Sequence, residues 1–144
     1  MHKITKTYVD YNGIERTEDF YFNLNSVEIA EMAHSVDGGL DQRVEKIVKA
    51  NDVKEILEVF KDLLLKSYGE KSEDGRRFVK SEELSIGFSQ MPVYEEIYWE
   101  LAQDDVKAAE FINNIIPKEY RDEIESQGMK LVEKLLMYLL KLLI

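Results

Sequence analysis

Two runs of β-branched and aromatic residues flank Asn12-Gly13: Thr5, Thr7, Val9 and Tyr11 before it, Ile14, Thr17, Phe20, Tyr21 and Phe22 after it. Both turn residues tolerate positive φ, which a two-residue type I′ turn demands, so residues 3–22 are expected to form a β-hairpin. A lone hairpin is marginal in water. It must therefore rest on another apolar surface, and the remainder of the chain reads as helices that can supply one.

Asn25 and Glu28 stand three residues apart, as a capping box requires, and open a first helix carrying Val27, Ile29 and Met32. Gly38-Gly39 breaks it. Leu40, Val44, Ile47 and Val48 then recur at helical spacing to about Ala50. Asp52 and Glu55 form another capping box ahead of Val53, Ile56, Leu57, Phe60, Leu63 and Leu64, the strongest amphipathic pattern in the body of the chain. Gly69 is expected to end that helix and Asp74-Gly75 to make a tight turn. Ser81 can cap a helix bearing Leu84, Ile86 and Phe88. Pro92 suits the first turn of the next, with Val93, Ile97, Tyr98 and Leu101 inward. Asp104 or Asp105 opens a last body helix with Val106, Ala109, Phe111, Ile112, Ile115 and Ile116, closed by Pro117. The expected fold is mainly α: a compact multi-helix domain with an N-terminal β-hairpin (α+β) and a strongly apolar C-terminal helix. The boundaries are 1–128 for the α-rich domain and 129–144 for the final helix.

That last segment, MKLVEKLLMYLLKLLI, carries Lys130, Glu133, Lys134 and Lys141 on one narrow stripe of a helical wheel. Leu131, Val132, Leu135, Leu136, Leu139, Leu140, Leu142 and Leu143 cover most of the rest. A surface helix usually has an apolar face little more than about 100° wide. This one is much wider, so something must cover it. Four covers are open: the domain's own core, a second copy of the chain through the a/d-like spacing of Val132, Leu135, Leu139 and Leu142, an apolar helix of another protein, or a membrane surface. A membrane span is not expected, because sixteen helical residues reach about 24 Å against a hydrocarbon core of about 30 Å. Gly128 lies just before the segment and can serve as a hinge.

Composition narrows the chemistry. The chain has 144 residues, no cysteine and a net charge of −10. One domain with a real core is expected, without disulfides or thiolate chemistry. Nucleic-acid binding needs lysine and arginine to displace counterions, and this balance opposes it. No signal peptide is expected, since residues 1–25 have no apolar run of the required kind. His2 and His34 make no metal-ligand spacing, and no HExxH, GxSxG or phosphate-cradling glycine motif occurs. The carboxylate pairs Glu82-Glu83, Glu95-Glu96 and Asp104-Asp105 are adjacent on helices or caps, so their side chains diverge by about 100° and read as solvated faces rather than acid/base pairs. Arg76-Arg77 is expected to engage acidic helices of the same chain, the alternative being an acidic partner or phosphate. Tyr94, Tyr98 and Trp99 read as core packing, the alternative being an interface patch. No catalytic residue, cofactor or metal is expected, and no enzyme.

The hairpin wording YVDYNGIERTEDFYFNL and the polar stretch YGEKSEDGRRFVKSEEL, from Tyr68 to Leu84, together resemble the tail assembly chaperones of long-tailed bacteriophages and prophages, especially those of Gram-positive hosts. The residues Tyr68, Gly69, Glu70, Lys71, Ser72, Asp74, Gly75, Arg76, Phe78, Lys80, Ser81, Glu83 and Leu84 carry the resemblance, which runs from about residue 3 to 117 and is not expected to include the C-terminal helix. On physical grounds Tyr68, Gly69, Asp74, Gly75, Arg76 and Phe78 are expected to set a turn and the start of the helix after it. The resemblance implies a non-enzymatic protein of the host cytoplasm, absent from the mature virion. It also implies a tape measure protein as client, held soluble until tail tube protein subunits polymerise around it. Self-association is a linked expectation, and the leucine-rich face of 129–144 is the expected partner-binding surface. Two other classes stay open: a structural tail subunit retained in the virion, and a small interaction protein acting through its C-terminal helix.

Overall fold

The computed structural model describes residues 1–34 and 53–117. Strands β1 (His2–Val9) and β2 (Glu15–Phe22) form the N-terminal hairpin. Helix α1 (Ser26–His34) follows, then α2 (Val53–Ser67), which runs straight into strand β3 (Tyr68–Lys71). Strand β4 (Phe78–Val79) and helices α3 (Glu82–Ser89), α4 (Pro92–Gln103) and α5 (Asp105–Ile115) complete the described chain. The four strands make one antiparallel sheet in the order β1-β2-β3-β4.

The expectation of a mainly α domain whose strands are confined to the N-terminal hairpin is thus corrected: the described residues hold a four-stranded antiparallel sheet beside five short helices and are not clearly mainly helical. Within the polar stretch, Tyr68 and Gly69 pair with Phe22 and Tyr21 of β2, and Phe78 and Val79 pair with Lys71 and Glu70 of β3 in turn. Strands of four and two residues are too short for a period-2 pattern to announce. An edge presented by a distant strand supplies the pairing, and residues 72–77 form the loop between the two strands. The second helix expected over residues 40–50 lies outside the described residues.

The N-terminal turn differs from its expected type. The Gly13 amide donates to the Asp10 carbonyl at 3.0 Å and the Asp10 amide to the Ile14 carbonyl at 2.9 Å. The loop therefore holds three residues, with Gly13 at φ 79° as its left-handed member. Asp10 explains the choice. Its carboxylate accepts from the Asn12 and Ile14 amides at 2.9 and 3.0 Å and from Arg16 Nε at 2.6 Å. An aspartate in the first position of a type I turn is the favoured arrangement. The consequence is register: Val9 faces Glu15 and Ile4 faces Phe20. A two-residue loop would shift the pairing by one residue, and such a slip turns a strand's apolar set to the wrong face.

In the observed register, Ile4, Tyr8, Phe20 and Phe22 face the helices and join the core cluster. Thr5, Thr7, Thr17 and Asp19 line the solvent face, where Thr5 bonds Asp19 at 2.6 Å and Thr7 bonds Thr17 at 2.8 Å. The core is aromatic at its centre. Phe22, Phe60 and Phe111 are buried, and Phe22 meets Phe111, Phe88 and Tyr68 edge to face. Backbone bonds knit the chain across the layers: Leu24 N to Ile115 O and Asn23 N to Ser67 O, both 2.7 Å.

Helix starts follow local chemistry. Asn25 and Glu28 make the reciprocal capping box, at 2.8 and 3.0 Å. The second Glu28 oxygen receives Lys80 at 2.6 Å, which ties α1 to the approach to α3. Ser81 caps α3 through the Leu84 amide, and Asp104 caps α5 through the Val106 and Lys107 amides, each at 3.1 Å. Some apolar residues expected inward are exposed: Val27, Ile86 and Val106. In α5 the buried stripe is Ala108, Phe111, Ile112 and Ile115, an i, i+3, i+4, i+7 set that leaves Val106 outside.

Asp10 also makes the hairpin sensitive to acid. The Arg16 hydrogen bond first, then the Ile14 and Asn12 amides, hold its carboxyl below the ordinary 3.8. A carboxyl depressed in the fold confers stability above its ordinary value and loses it as the pH falls through the depressed one. Asp10→Asn keeps an acceptor but no charge. Its stability should fall less steeply than the parent's below about pH 3.8, read by thermal unfolding across the acid range.

Candidate functional site

An open groove of about 710 Å³ runs between β3 and α3. Its lining is Tyr68, Glu70, Glu82, Glu83, Leu84, Ile86, Gly87, Phe88, Gln90 and Met91. Tyr68, Leu84, Ile86, Phe88 and Met91 make an apolar floor, and Glu70, Glu82 and Glu83 an acidic rim whose residues are all exposed.

The floor is set from below by the core. Tyr68 opens β3 where α2 ends, and its ring stacks on Phe88 at 4.2 Å between centroids and 9° between planes. Phe88 touches Phe20 and Phe22 of the hairpin at 5.8 Å and Tyr94 of α4 at 5.4 Å. Ser85 Oγ donates to the Leu65 carbonyl at 2.9 Å and holds α3 against the end of α2. Ile86 is 48% exposed although it lies on the same helix as buried Phe88. The sequence signal for this is phase: Leu84, Phe88 and Met91 recur at helical spacing, and Ile86 falls between them.

Of the residues carrying the family resemblance, Tyr68 to Phe78 lie in the β3–β4 hairpin beside this groove, while Glu83 and Leu84 belong to α3 and line it. Gly69 does not end α2. It pairs with Tyr21, and a Cβ built on it would lie 2.7 Å from the Phe78 ring and 2.8 Å from the Val79 carbonyl. Phe78 thus lies over Gly69, and Lys80 Nζ stands 5.6 Å from the Phe78 ring centroid. Asp74 and Gly75 sit in the connecting loop, where Gly75 N donates to the Ser72 carbonyl at 2.9 Å and Asp74 accepts from Ser72 Oγ at 2.7 Å. The Arg76 amide donates to the same Asp74 oxygen at 3.0 Å. Arg76 was expected to reach acidic helices. Its guanidinium stands 4.0 Å from Asp74 in its own turn and is largely exposed, as is Arg77.

The aromatic set of α4 is divided between core and surface. Tyr94 packs on Phe88, Tyr98 on Phe60 at 5.5 Å, and Trp99 edge-on to Tyr98 at 5.1 Å while 43% exposed. Burial pushes the Tyr68, Tyr94 and Tyr98 phenols up, with Glu70 and Glu18 adding to the effect at Tyr68. Tyr8, which donates to Glu18, is pushed up to about 12 by burial and that hydrogen bond. These phenols stay neutral at physiological pH. His2, wedged against Phe111 and Asn114, is lowered by burial and neutral as well. Among the described residues no group of three or more His, Asp or Glu is placed to hold a metal ion, and no helix is long and apolar enough to cross a membrane.

Leu131, Val132, Leu135, Leu136, Leu139, Leu140, Leu142 and Leu143, the expected partner-binding face, lie outside the described residues, as does the whole of 129–144. No curated protein and no solved structure matches the chain. A family model described as phage tail assembly chaperone matches residues 1–136. The match passes the point near Pro117 where the resemblance was expected to stop and continues into the apolar segment as far as Leu136. With nearly the whole chain covered, this protein belongs to the phage tail assembly chaperone family.

Proposed function

We propose that this chaperone captures apolar helical segments of a tape measure protein and keeps that protein soluble until tail tube subunits polymerise around it. The observation that carries the reading is the family match reaching into the segment 129–144, whose leucines are too many for a solvated helix. A net charge of −10 keeps such a complex soluble. A holdase of this kind needs no nucleotide, since it shifts an equilibrium by binding the aggregation-prone state. The protein then works in the host cytoplasm, does not stay in the virion, and uses Leu131, Val132, Leu135, Leu136, Leu139, Leu140, Leu142 and Leu143 as its gripping face.

Co-expression with a phage tape measure protein tests the reading. The intact chain should keep the client in the soluble fraction and co-purify with it, and a chain ending at residue 128 should do neither. Equal client solubility with and without the chaperone sinks the proposal. Recovery of the chain from purified virions by mass spectrometry would instead make it a structural subunit.

A further inference from the structure

The segment 129–144 carries more apolar side chains than a solvated helix does, and the described structure contains an apolar groove with an acidic rim. We infer that the groove between β3 and α3 seats the chain's own segment 129–144 in the absence of a client. The inference rests on the reading of that segment as the gripping face, and concerns what covers it at rest.

Three observations converge. The first is charge. The segment carries three lysines against one glutamate, net +2, which leaves the rest of the chain at −12. The groove rim is made of Glu70, Glu82 and Glu83. A helix lying with leucines on the floor keeps its lysine stripe uppermost, and the long lysine stems bend sideways to reach carboxylates at the rim. The second is surface chemistry. Ile86 is 48% exposed and Met91 half-buried, so the floor offers apolar area whose burial is favourable.

The third is where the chain leaves the described structure. Ile115, at the end of α5, accepts a hydrogen bond from Leu24; its neighbour Asn23 donates to Ser67; and Ser67 precedes Tyr68 of the groove. The end of α5, two residues before Pro117, is therefore linked through two backbone hydrogen bonds to the residue preceding Tyr68 of the groove. Residues 118–128 connect it to the segment. Eleven residues span roughly 36 Å when extended, against a radius of gyration of about 13 Å for a folded domain of this size. A connector of that length is long enough to reach the groove, and a glycine, Gly128, stands immediately before the segment.

The seat is competitive. A client helix that takes the leucine face must first displace it from the groove, so the resting contact guards against self-aggregation at the cost of some client affinity.

The absence of cysteine from the chain makes a direct test simple. Full-length double variants would pair Ile86→Cys with Leu135→Cys or with Leu139→Cys, and control variants would pair Thr7→Cys, on the opposite face of the sheet, with the same two positions. A short bis-maleimide is then added to dilute protein without client, after circular dichroism has confirmed that each variant folds. The Ile86 pairs should cross-link within one chain at least about tenfold faster than the Thr7 pairs, because docking raises the local concentration above that of a tethered random chain. Adding Glu82→Lys and Glu83→Lys should slow the Ile86 reaction. Equal rates at Ile86 and Thr7, or cross-linked dimers as the product from Ile86, would overturn the inference, the dimer result assigning the groove to a second copy. The client is not in this assay, so its outcome is independent of whether the tape measure protein binds.

Discussion

Phe88→Ala should destabilise the protein by about 3–5 kcal/mol, read as a lower urea midpoint at nearly unchanged slope. Phe88 is 1% exposed. Its ring stacks on Tyr68 at 4.2 Å, lies 5.8 Å from both Phe20 and Phe22, and meets Tyr94 at 5.4 Å. The residue thus joins α3 to both hairpins and to α4. Truncation leaves a cavity walled by rings, and rings cannot collapse into it without breaking their own contacts, so the cost sits at the upper end for a core deletion. Against a typical total of about 5–15 kcal/mol, this loss leaves a marginal fold. Phe88→Leu should recover most of the loss. A cost below about 1 kcal/mol for the alanine variant would show that the aromatic centre does not organise the sheet–helix packing.

Gly69→Ala should cost about 1–3 kcal/mol although it adds one methyl group. The new Cβ would meet Phe78 Cε2 at 2.7 Å and the Val79 carbonyl at 2.8 Å. The ring can swing away, but the carbonyl belongs to the ladder in which Glu70 pairs with Val79, so β4 itself must shift. A double variant with Phe78→Ala separates the two contacts. It should relieve the ring clash and leave the backbone clash, giving a coupling energy smaller than the full cost of Gly69→Ala. Gly87→Ala is the internal control, since a Cβ there meets nothing within 4 Å and lies in a helix, where alanine is favoured. If Gly69→Ala is as benign as Gly87→Ala, the packing of Phe78 over the β3 backbone is wrong.

These two positions show where the reading of the sequence stops. Gly69 lies among polar residues after a clear amphipathic helix, and helix termination is the simplest use for a glycine there. Its actual use depends on Phe78, which no local pattern places over it. Phe88 was legible as a core residue from its spacing, but its partners Phe20, Phe22 and Tyr68 come from both hairpins. Ile86 and Val106 read as inward because they are apolar, whereas their phase on α3 and α5 leaves them exposed. In the groove, the acidic rim was legible as solvated carboxylates on a helix. Its concavity was not, because Glu70 and Tyr68 arrive from β3.

The sequence by itself determined what near neighbours decide: the existence of the N-terminal hairpin, the Asn25–Glu28 capping box, the Ser81 and Asp104 caps, the helices Val53–Ser67 and Pro92–Gln103, and the excess of apolar surface at 129–144. Each follows from hydrogen bonds or periodicity within a few positions. The tertiary structure alone decided the four-stranded sheet, the depth of the groove and the role of Gly69. Those depend on pairs such as Tyr21 with Gly69 and Leu24 with Ile115, far apart in the chain, whose loop-closure entropy is offset by burial in a shared core rather than by any local preference.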